Sequence, residues 1–343
     1  MKPLVVIIIA IVVLTALPAF AQTPKPAPAA PKAPAAAKTW TPTKTPWGDP
    51  DLQGTWTSDD CIGTPLNRPA QFGDRLYYTE QELADREKTL ARQAENDKQE
   101  FVAADARVGT GPPGHWGERA RRPCKQTSLI VDPPNGRTPD VLPEARTRRV
   151  PEGAGNDNPQ PASWEDFSYY IRCITRGVTG SIFPVIYGNG QRIVQGRGFV
   201  TILQEMVHEA RVIPLNGSPH ASPNIRSYMG DARGRWEGNT LVVETTNFLG
   251  NRTGLGGNGG GMPTSDALKL TERFTRVSPS ELKYEVTIDD PKTYVSPFKV
   301  GFPLTQEPGY QNFEYACHEG NNAMFNSLSG ARAQEKAQAQ EKK

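Results

Sequence analysis

The stretch LKLTERFTRVSPSELKYEVTI, residues 268–288, decides the expected fold of the chain. It contains two runs of strand-forming residues on either side of the turn Ser278-Pro279-Ser280. In the second run, apolar residues alternate with polar ones, at Leu282, Tyr284, Val286 and Ile288. A period of two is typical of a strand with one buried face and one solvated face. The stretch therefore predicts an antiparallel hairpin.

Similar runs, separated by turn residues, occur before this hairpin. They cover residues 127–131, 167–175, 183–187, 191–195, 199–215, 233–236 and 240–248. The chain also has 32 glycines and 32 prolines, which suits a fold with many turns. We predict a mainly β fold, an antiparallel meander forming a lipocalin-like barrel or a curved sheet, because a long open meander would leave exposed edges. The Gly54-x-Trp56 pair resembles the opening strand of lipocalin-like barrels, where the indole closes the barrel floor.

One peripheral helix is expected over residues 79–105. Thr79 and Glu82 have the spacing of a capping box at its start. The apolar stripe along this segment is thin, which is typical of a helix on the surface.

The first residues have the three parts of a secretory signal. Lys2 supplies a positive charge, residues 4–17 are almost wholly aliphatic, and Ala19-Phe20-Ala21 offers a small-x-small cleavage pattern. We predict a signal peptide at 1–21, a disordered Pro/Ala-rich linker at 22–46, a single β-rich domain at 47–330 with the helical insert, and a flexible tail at 331–343. The mature protein is expected in the periplasm or secreted, with no stable membrane insertion.

The four cysteines form an even set, which in an exported chain indicates disulfides. Three pairings are possible. We predict Cys61 with Cys124, since these two flank the helical insert, and Cys173 with Cys317, since both lie in the β-rich half. No C-x-x-C spacing indicates a metal site, and we predict no metal and no cofactor.

Charge and motifs narrow the function classes. A formal net charge of +2 lacks the concentrated basic face of a nucleic-acid-binding protein. The sequence contains no G-x-S-x-G, no H-E-x-x-H, no phosphate-binding loop and no dinucleotide-binding glycine pattern. We therefore expect a small-molecule ligand or substrate as the partner, and no nucleic acid.

The histidines suggest a site. As a single strand, residues 199–215 would place His208 on an apolar face with Val200, Ile202, Met206 and Val212, and Glu205, Glu209 and Arg211 on the other face. A histidine on an apolar face is also typical of a core residue. His318 follows Cys317, and a disulfide there would pin its backbone. We predict that His208 and His318 face one shared pocket.

These residues lead to three hypotheses of function. The first is an enzyme, a lyase, isomerase or hydrolase, that uses histidine acid–base chemistry on a small organic substrate. The second is a lipocalin-like carrier of an apolar or aromatic ligand. The third is a zinc-dependent hydrolase built from His208, His220 and His318, which lack local ligand spacing. The candidate catalytic residues are His208, His318, Glu205 and Arg211, and the candidate substrate-binding residues are His220, Tyr284, Arg273 and Glu319.

Several segments together resemble a family of exported bacterial proteins. They are TSLIVDPP at 127–134, RCI at 172–174, residues 205–215, GRWEGNTLVVETTNF at 234–248, ERFTRV at 272–277 and YACHEGN at 315–321. The resemblance covers about residues 47–335 and implies a secreted single-domain protein, without an assigned reaction. Cys61 and Cys124 are less typical of this family.

Overall fold

A computed structural model describes residues 40–98, 118–148, 161–250, 254–256, 261–307 and 309–341, apart from the side chain of His208. The expected signal peptide, most of the linker and residues 99–105 of the expected helix lie outside these residues. Across the ranges described, no helix is long and apolar enough to cross a membrane.

The described residues form ten strands in one antiparallel sheet. The strands are β1 (Gly54–Thr57), β2 (Ile130–Asp132), β3 (Gln191–Gly196), β4 (Phe199–Gln204), β5 (Ala210–Pro214), β6 (Asp231–Glu237), β7 (Thr240–Thr246), β8 (Lys269–Ser278), β9 (Glu281–Asp289) and β10 (Phe298–Gln306). Their order is β5-β4-β3-β1-β10-β9-β8-β7-β6, with β2 paired to β10. The sheet curls until β5 and β6 lie side by side. The predicted mainly β, antiparallel fold is confirmed, and the sheet is nearly closed into a barrel.

The barrel interior follows the period of two in the sequence. On β9, Leu282, Tyr284, Val286 and Ile288 are fully buried, whereas Lys283 between them is exposed. On the neighbouring strand β10, Val300, Phe302 and Leu304 are buried as well, and Tyr284 packs against Phe302 with ring centroids 5.3 Å apart. The hairpin at 268–288 therefore forms as predicted, with β8 and β9 paired in register.

Trp56 on β1 is part of the barrel core, and the lipocalin-like role expected from the Gly54-x-Trp56 pattern stays a prediction. Its indole is fully buried, and Nε1 donates a hydrogen bond to the Leu52 carbonyl at 2.9 Å. The Arg276 guanidinium lies 5.2 Å above the Trp56 ring and donates to the Asp51 carbonyl. This cation–π contact holds β1 against the end of β8.

The end of the sheet where β1 and β4 finish and β3 begins, which we call the mouth, is packed by chain from the region 161–190. Val178, Ile182 and Phe183 are buried in the main core there. The prediction of strands at 167–175 and 183–187 is wrong, because these residues form turns. Cys173 has a positive φ of 57°, and the Ile174 amide bonds back to the Tyr169 carbonyl, so the chain reverses instead of extending.

Two α-helices are present in the described residues. Helix α1 (Glu80–Asn96) lies on the surface and begins with the predicted capping box between Thr79 and Glu82. Helix α2 (Ala323–Glu341) begins before the tail predicted to be flexible at 331–343 and continues through it as far as Glu341. Arg332 anchors α2 by donating to the Pro161 and Ala162 carbonyls.

Both predicted disulfides are confirmed. Cys61 is bonded to Cys124 and Cys173 to Cys317, at sequence separations of 63 and 144. Disulfides of this kind persist in oxidising compartments outside the cytoplasm.

The seam between β5 and β6 generates the first testable prediction. A Cβ atom at Gly234 of β6 would lie 2.8 Å from Ile213 and 2.6 Å from Leu215, so these side chains occupy the space of the missing one. We expect Gly234→Ala to lower the free energy of unfolding by about 1–3 kcal/mol through overpacking. Chemical denaturation measures this. Gly330→Ala is the control, because Gly330 lies in α2 with nothing within 4 Å, and it should be neutral or stabilising. Equal effects of the two substitutions would contradict a tight seam.

Candidate functional site

The segment that carries His208 is two strands rather than one. A 3-10 turn at Met206–His208 separates β4 from β5, and Val207 in it has a positive φ of 60°. Val200 and Ile202 are buried as predicted, but Val212 is 60% exposed and Arg211 is buried. The predicted face shared with Val212 is therefore wrong, because the turn reverses which residues of β5 point inward. The side chain of His208 lies outside the described part, so the pocket predicted for His208 and His318 stays a prediction.

Arg211 forms a buried ion pair across the barrel. Its guanidinium donates to both carboxylate oxygens of Glu272 on β8, at 3.1 and 2.5 Å. Tyr284 on β9 donates to the same carboxylate at 3.2 Å. Burial raises the pKa of Tyr284 well above its usual value, so its hydroxyl remains a donor. Arg211 was predicted as a catalytic residue and Tyr284 as a substrate-binding residue. Both instead form hydrogen bonds with the Glu272 carboxylate inside the barrel.

His220 lies half-buried between two carboxylates. Its Nδ1 is 3.0 Å from Asp231 and its Nε2 is 3.4 Å from Glu244. Burial acts to raise the pKa of Asp231, but hydrogen bonds from the Ala221 amide, His220 and Arg233 outweigh it and hold that pKa below its usual value. The arrangement fixes the imidazole at the start of β6.

The remaining predicted site residues lie on the outside. Arg273 pairs with Glu237 on the outer face of the sheet at 2.8 Å. His318 and Glu319 are exposed. Among the described side chains, no group of three His, Cys, Asp or Glu residues could hold a metal ion. The zinc hypothesis needs His208, whose side chain is not described, and it stays a prediction.

Glu205, by contrast, belongs to a group of three carboxyl residues at the mouth, which we call the acid cluster: Asp59, Glu118 and Glu205. Asp59 follows β1 and Glu205 follows β4, so the ends of two strands position them. The Asn189 amide donates to Asp59 at 2.8 Å and to Glu118 at 3.0 Å. Asp59 and Glu118 are also close enough to share a hydrogen bond.

Glu205 is held from the opposite side. It accepts hydrogen bonds from the Tyr310 hydroxyl at 2.5 Å and from the Phe313 amide at 3.2 Å. A Cβ atom at Gly190 would lie 2.6 Å from the Glu205 carboxylate, so this close approach requires glycine. Burial raises the pKa of Tyr310, and Glu205 raises it further, so Tyr310 stays a proton donor.

The proton on Glu118 is the main chemical feature of the cluster. Burial raises its pKa to about 8, the nearby Asp59 and Glu205 raise it as well, and the Gly188 amide partly opposes them. Glu118 is therefore mostly protonated at neutral pH. A buried carboxylic acid beside other carboxylates is the pattern of a general acid.

Arg176 supports the loop 187–190 from the side opposite the acid cluster. It donates to the carbonyls of Tyr187 and Gly188 at 3.1 Å each. Its guanidinium also lies near the rings of Tyr170 and Tyr187, at 5.5 and 5.7 Å. The loop is thus clamped between Arg176 and Glu118, because Gly188 bonds to both.

The segment 310–322, which we call the strap, crosses the mouth. The Cys173–Cys317 disulfide ties it to the segment that fills the mouth, and Asn321 donates to the Ile171 carbonyl at 3.2 Å. Through Tyr310 and Phe313 the strap also contacts the acid cluster. The predicted residues His318 and Glu319 lie on this strap, and Glu205 is bonded to it, whereas Asp59 and Glu118 were not among the predicted site residues.

No family model, curated protein or solved structure matches the chain. The resemblance to a family of exported bacterial proteins stays a prediction, and the site is interpreted from its own geometry.

The buried ion pair gives a prediction for stability. Arg211→Met should lower the free energy of unfolding by about 3–5 kcal/mol, because it leaves the Glu272 carboxylate buried without its cation. The double variant Arg211→Met/Glu272→Leu should recover much of this loss, as measured in urea. Arg273→Met is the control on the opposite face and should cost under about 1 kcal/mol. A double variant less stable than Arg211→Met alone would show that the pair itself is needed.

The acid cluster gives a prediction for pH. In the folded protein the pKa of Glu118 is raised to about 8. The stability that its protonated form contributes is therefore complete below the carboxyl pKa of the unfolded chain, and it is lost as pH rises through the pKa of the folded protein. We expect the Glu118 contribution to lower Tm as pH rises from about 4.5 to about 8 and to level off above that, and Glu118→Gln to reduce this fall by about a few degrees. Glu314→Gln, at an exposed position on the strap, is the control. An unchanged slope in Glu118→Gln would contradict the raised pKa.

Proposed function

We propose that the protein is an exported enzyme that hydrolyses a small organic substrate at the mouth of the barrel by carboxyl acid–base chemistry. The observation that carries this proposal is the raised pKa of Glu118, about 8, beside Asp59. Two carboxyl groups that share one proton can divide the roles of acid and base at neutral pH.

The roles follow from the hydrogen bonds. Asp59 would take a proton from the attacking water, and Glu118 would give its proton to the leaving group, so the two protons balance. The Asn189 amide holds both carboxyl groups in place. The Tyr310 hydroxyl fixes Glu205 at the edge of the site. Positioned acid–base groups contribute about 10²–10⁴-fold to a rate.

The two disulfides support a location outside the cytoplasm. We propose the periplasm or the extracellular medium, reached through the signal peptide expected at residues 1–21. A small-molecule substrate is the proposed partner.

A carrier function is the second candidate, since the outer face of the barrel has a groove. It has a volume of about 680 Å³ and lies between β9, β10 and the loop that Cys124 holds. Tyr77, Pro303 and Val277 are among its walls. Ligand sites have volumes of about 300–1,000 Å³. Native mass spectrometry of exported protein would show a retained ligand if the groove carries one.

The enzyme proposal is tested with p-nitrophenyl esters and glycosides. We expect hydrolysis of at least one of them, with kcat/KM falling by about 100-fold or more in both Glu118→Gln and Asp59→Asn while the fold is retained. The matched control Glu314→Gln should behave like the unmodified protein. Hydrolysis that survives both substitutions but is lost in His208→Gln and His318→Gln would instead support imidazole chemistry.

A further inference from the structure

The barrel interior just below the acid cluster contains amide groups without protein partners. Gln204, at the end of β4, is fully buried, and neither its Oε1 nor its Nε2 has a hydrogen-bond partner among the described residues. Gln191, at the start of β3, is paired in register with Gln204 and is also buried. Its Oε1 likewise has no described partner. Two neighbouring strands thus present polar atoms to the same part of the interior.

The segment that fills the mouth packs against Gln191. The Gln191 amide donates to the Ser181 carbonyl, which puts Ser181 directly against it. The hydroxyls of Ser181 and of Thr179, in the same turn, are buried and have no partner in the described chain. We call the part of the interior next to Thr179, Ser181, Gln191 and Gln204 the chamber.

A comparison within β3 shows that these amides are unusual. Gln195 is also buried and points inward, but both ends of its amide are bonded. Its Oε1 accepts from the Leu52 amide at 2.7 Å, and its Nε2 donates to the Pro50 carbonyl at 3.0 Å. A buried polar group without a partner is costly, so the chamber is suited to a polar occupant.

Charge restricts the nature of that occupant. The only arginine that β5 brings near Gln204, Arg211, is already neutralised by Glu272 within the described structure. The acid cluster lies next to the chamber, since Glu205 follows Gln204 and Asn189 lies two residues before Gln191. Carboxylates there repel anions, and the guanidinium of the nearby Arg176 is directed at the Tyr187 and Gly188 carbonyls. Amide and hydroxyl groups favour a neutral ligand whose groups both donate and accept hydrogen bonds.

We propose that the chamber binds a neutral, hydroxyl-rich molecule, a sugar ring or a polyol, next to Glu118. Its hydroxyl groups would bond to the amides of Gln191 and Gln204 and to the hydroxyls of Thr179 and Ser181. This inference rests on the proposed function, because it names the substrate class of that site.

The experiment measures stability and binding separately, without turnover. Saturation-transfer NMR is recorded with glucose, myo-inositol, sorbitol and glucuronate at millimolar concentration. We expect binding of at least one neutral compound, no binding of glucuronate, and weakening by about tenfold or more in Gln204→Met. Ser181→Ala, a milder change, should weaken binding while the fold is retained.

The matched control is Gln195→Met. We expect it to lower Tm by about 3 °C or more, because it leaves the Leu52 amide and Pro50 carbonyl unbonded, whereas Gln204→Met should leave Tm unchanged or raise it. A fall in Tm of Gln204→Met equal to that of Gln195→Met would overturn the proposal, since the amide would then be bonded within the protein. Absence of binding by all neutral compounds, or equal binding in Gln204→Met and the unmodified protein, would overturn it too. If a neutral compound binds but Glu118→Gln keeps full hydrolytic activity, the binding proposal stands and only the proposed acid–base mechanism is contradicted.

Discussion

The ion pair between Arg211 and Glu272 crosses the inside of the barrel, and the position of the last strands depends on it. In the described chain, β5 and β6 lie side by side but are not paired by backbone hydrogen bonds. Contacts between side chains must therefore close the barrel there. Arg211 joins β5 to β8, three strands away around the closure. Neither charge can lose its partner without a cost of several kcal/mol. A register shift of one residue in β5 would turn Arg211 outward, and the pair therefore specifies that register.

Loops shape the mouth of the barrel. The segment that fills the mouth and the strap meet there, and the Cys173–Cys317 disulfide joins them. The acid cluster lies between these loops and the strand ends, since Asp59 begins a 3-10 turn two residues after β1 and Glu205 directly follows β4. Both carboxylates are therefore held close to the sheet, which restricts their positions. The loop 187–190 provides the amides that orient Glu118 against them.

The parts of the fold that were predictable are those encoded by local patterns. The period of two in β9, the capping box of α1 and the even set of cysteines each carry a short-range physical signal. The sequence pattern predicts that Arg211 faces outward. Nothing in the sequence marks the positive φ of Val207, and this φ reverses which residues of β5 face inward. Asp59 and Glu118 were missed for a different reason. They are far apart in the chain and meet only because the Cys61–Cys124 region folds against loop 187–190.

Glu272 and Glu118 show how one residue type serves stability in one place and chemistry in another. Glu272 is fully buried and Glu118 is half-buried, so the environment of each carboxyl group is set largely by its neighbours in the protein. Glu272 has Arg211 and the Tyr284 hydroxyl around it, so its charge is bonded within the barrel. Glu118 has Asp59 and Glu205 as its charged neighbours, and no described arginine or lysine forms an ion pair with it. An arginine at the rim would relieve that repulsion and stabilise the fold. The arrangement instead retains a carboxylic acid that holds its proton near neutral pH, and chains that keep such a costly group usually do so at a functional site.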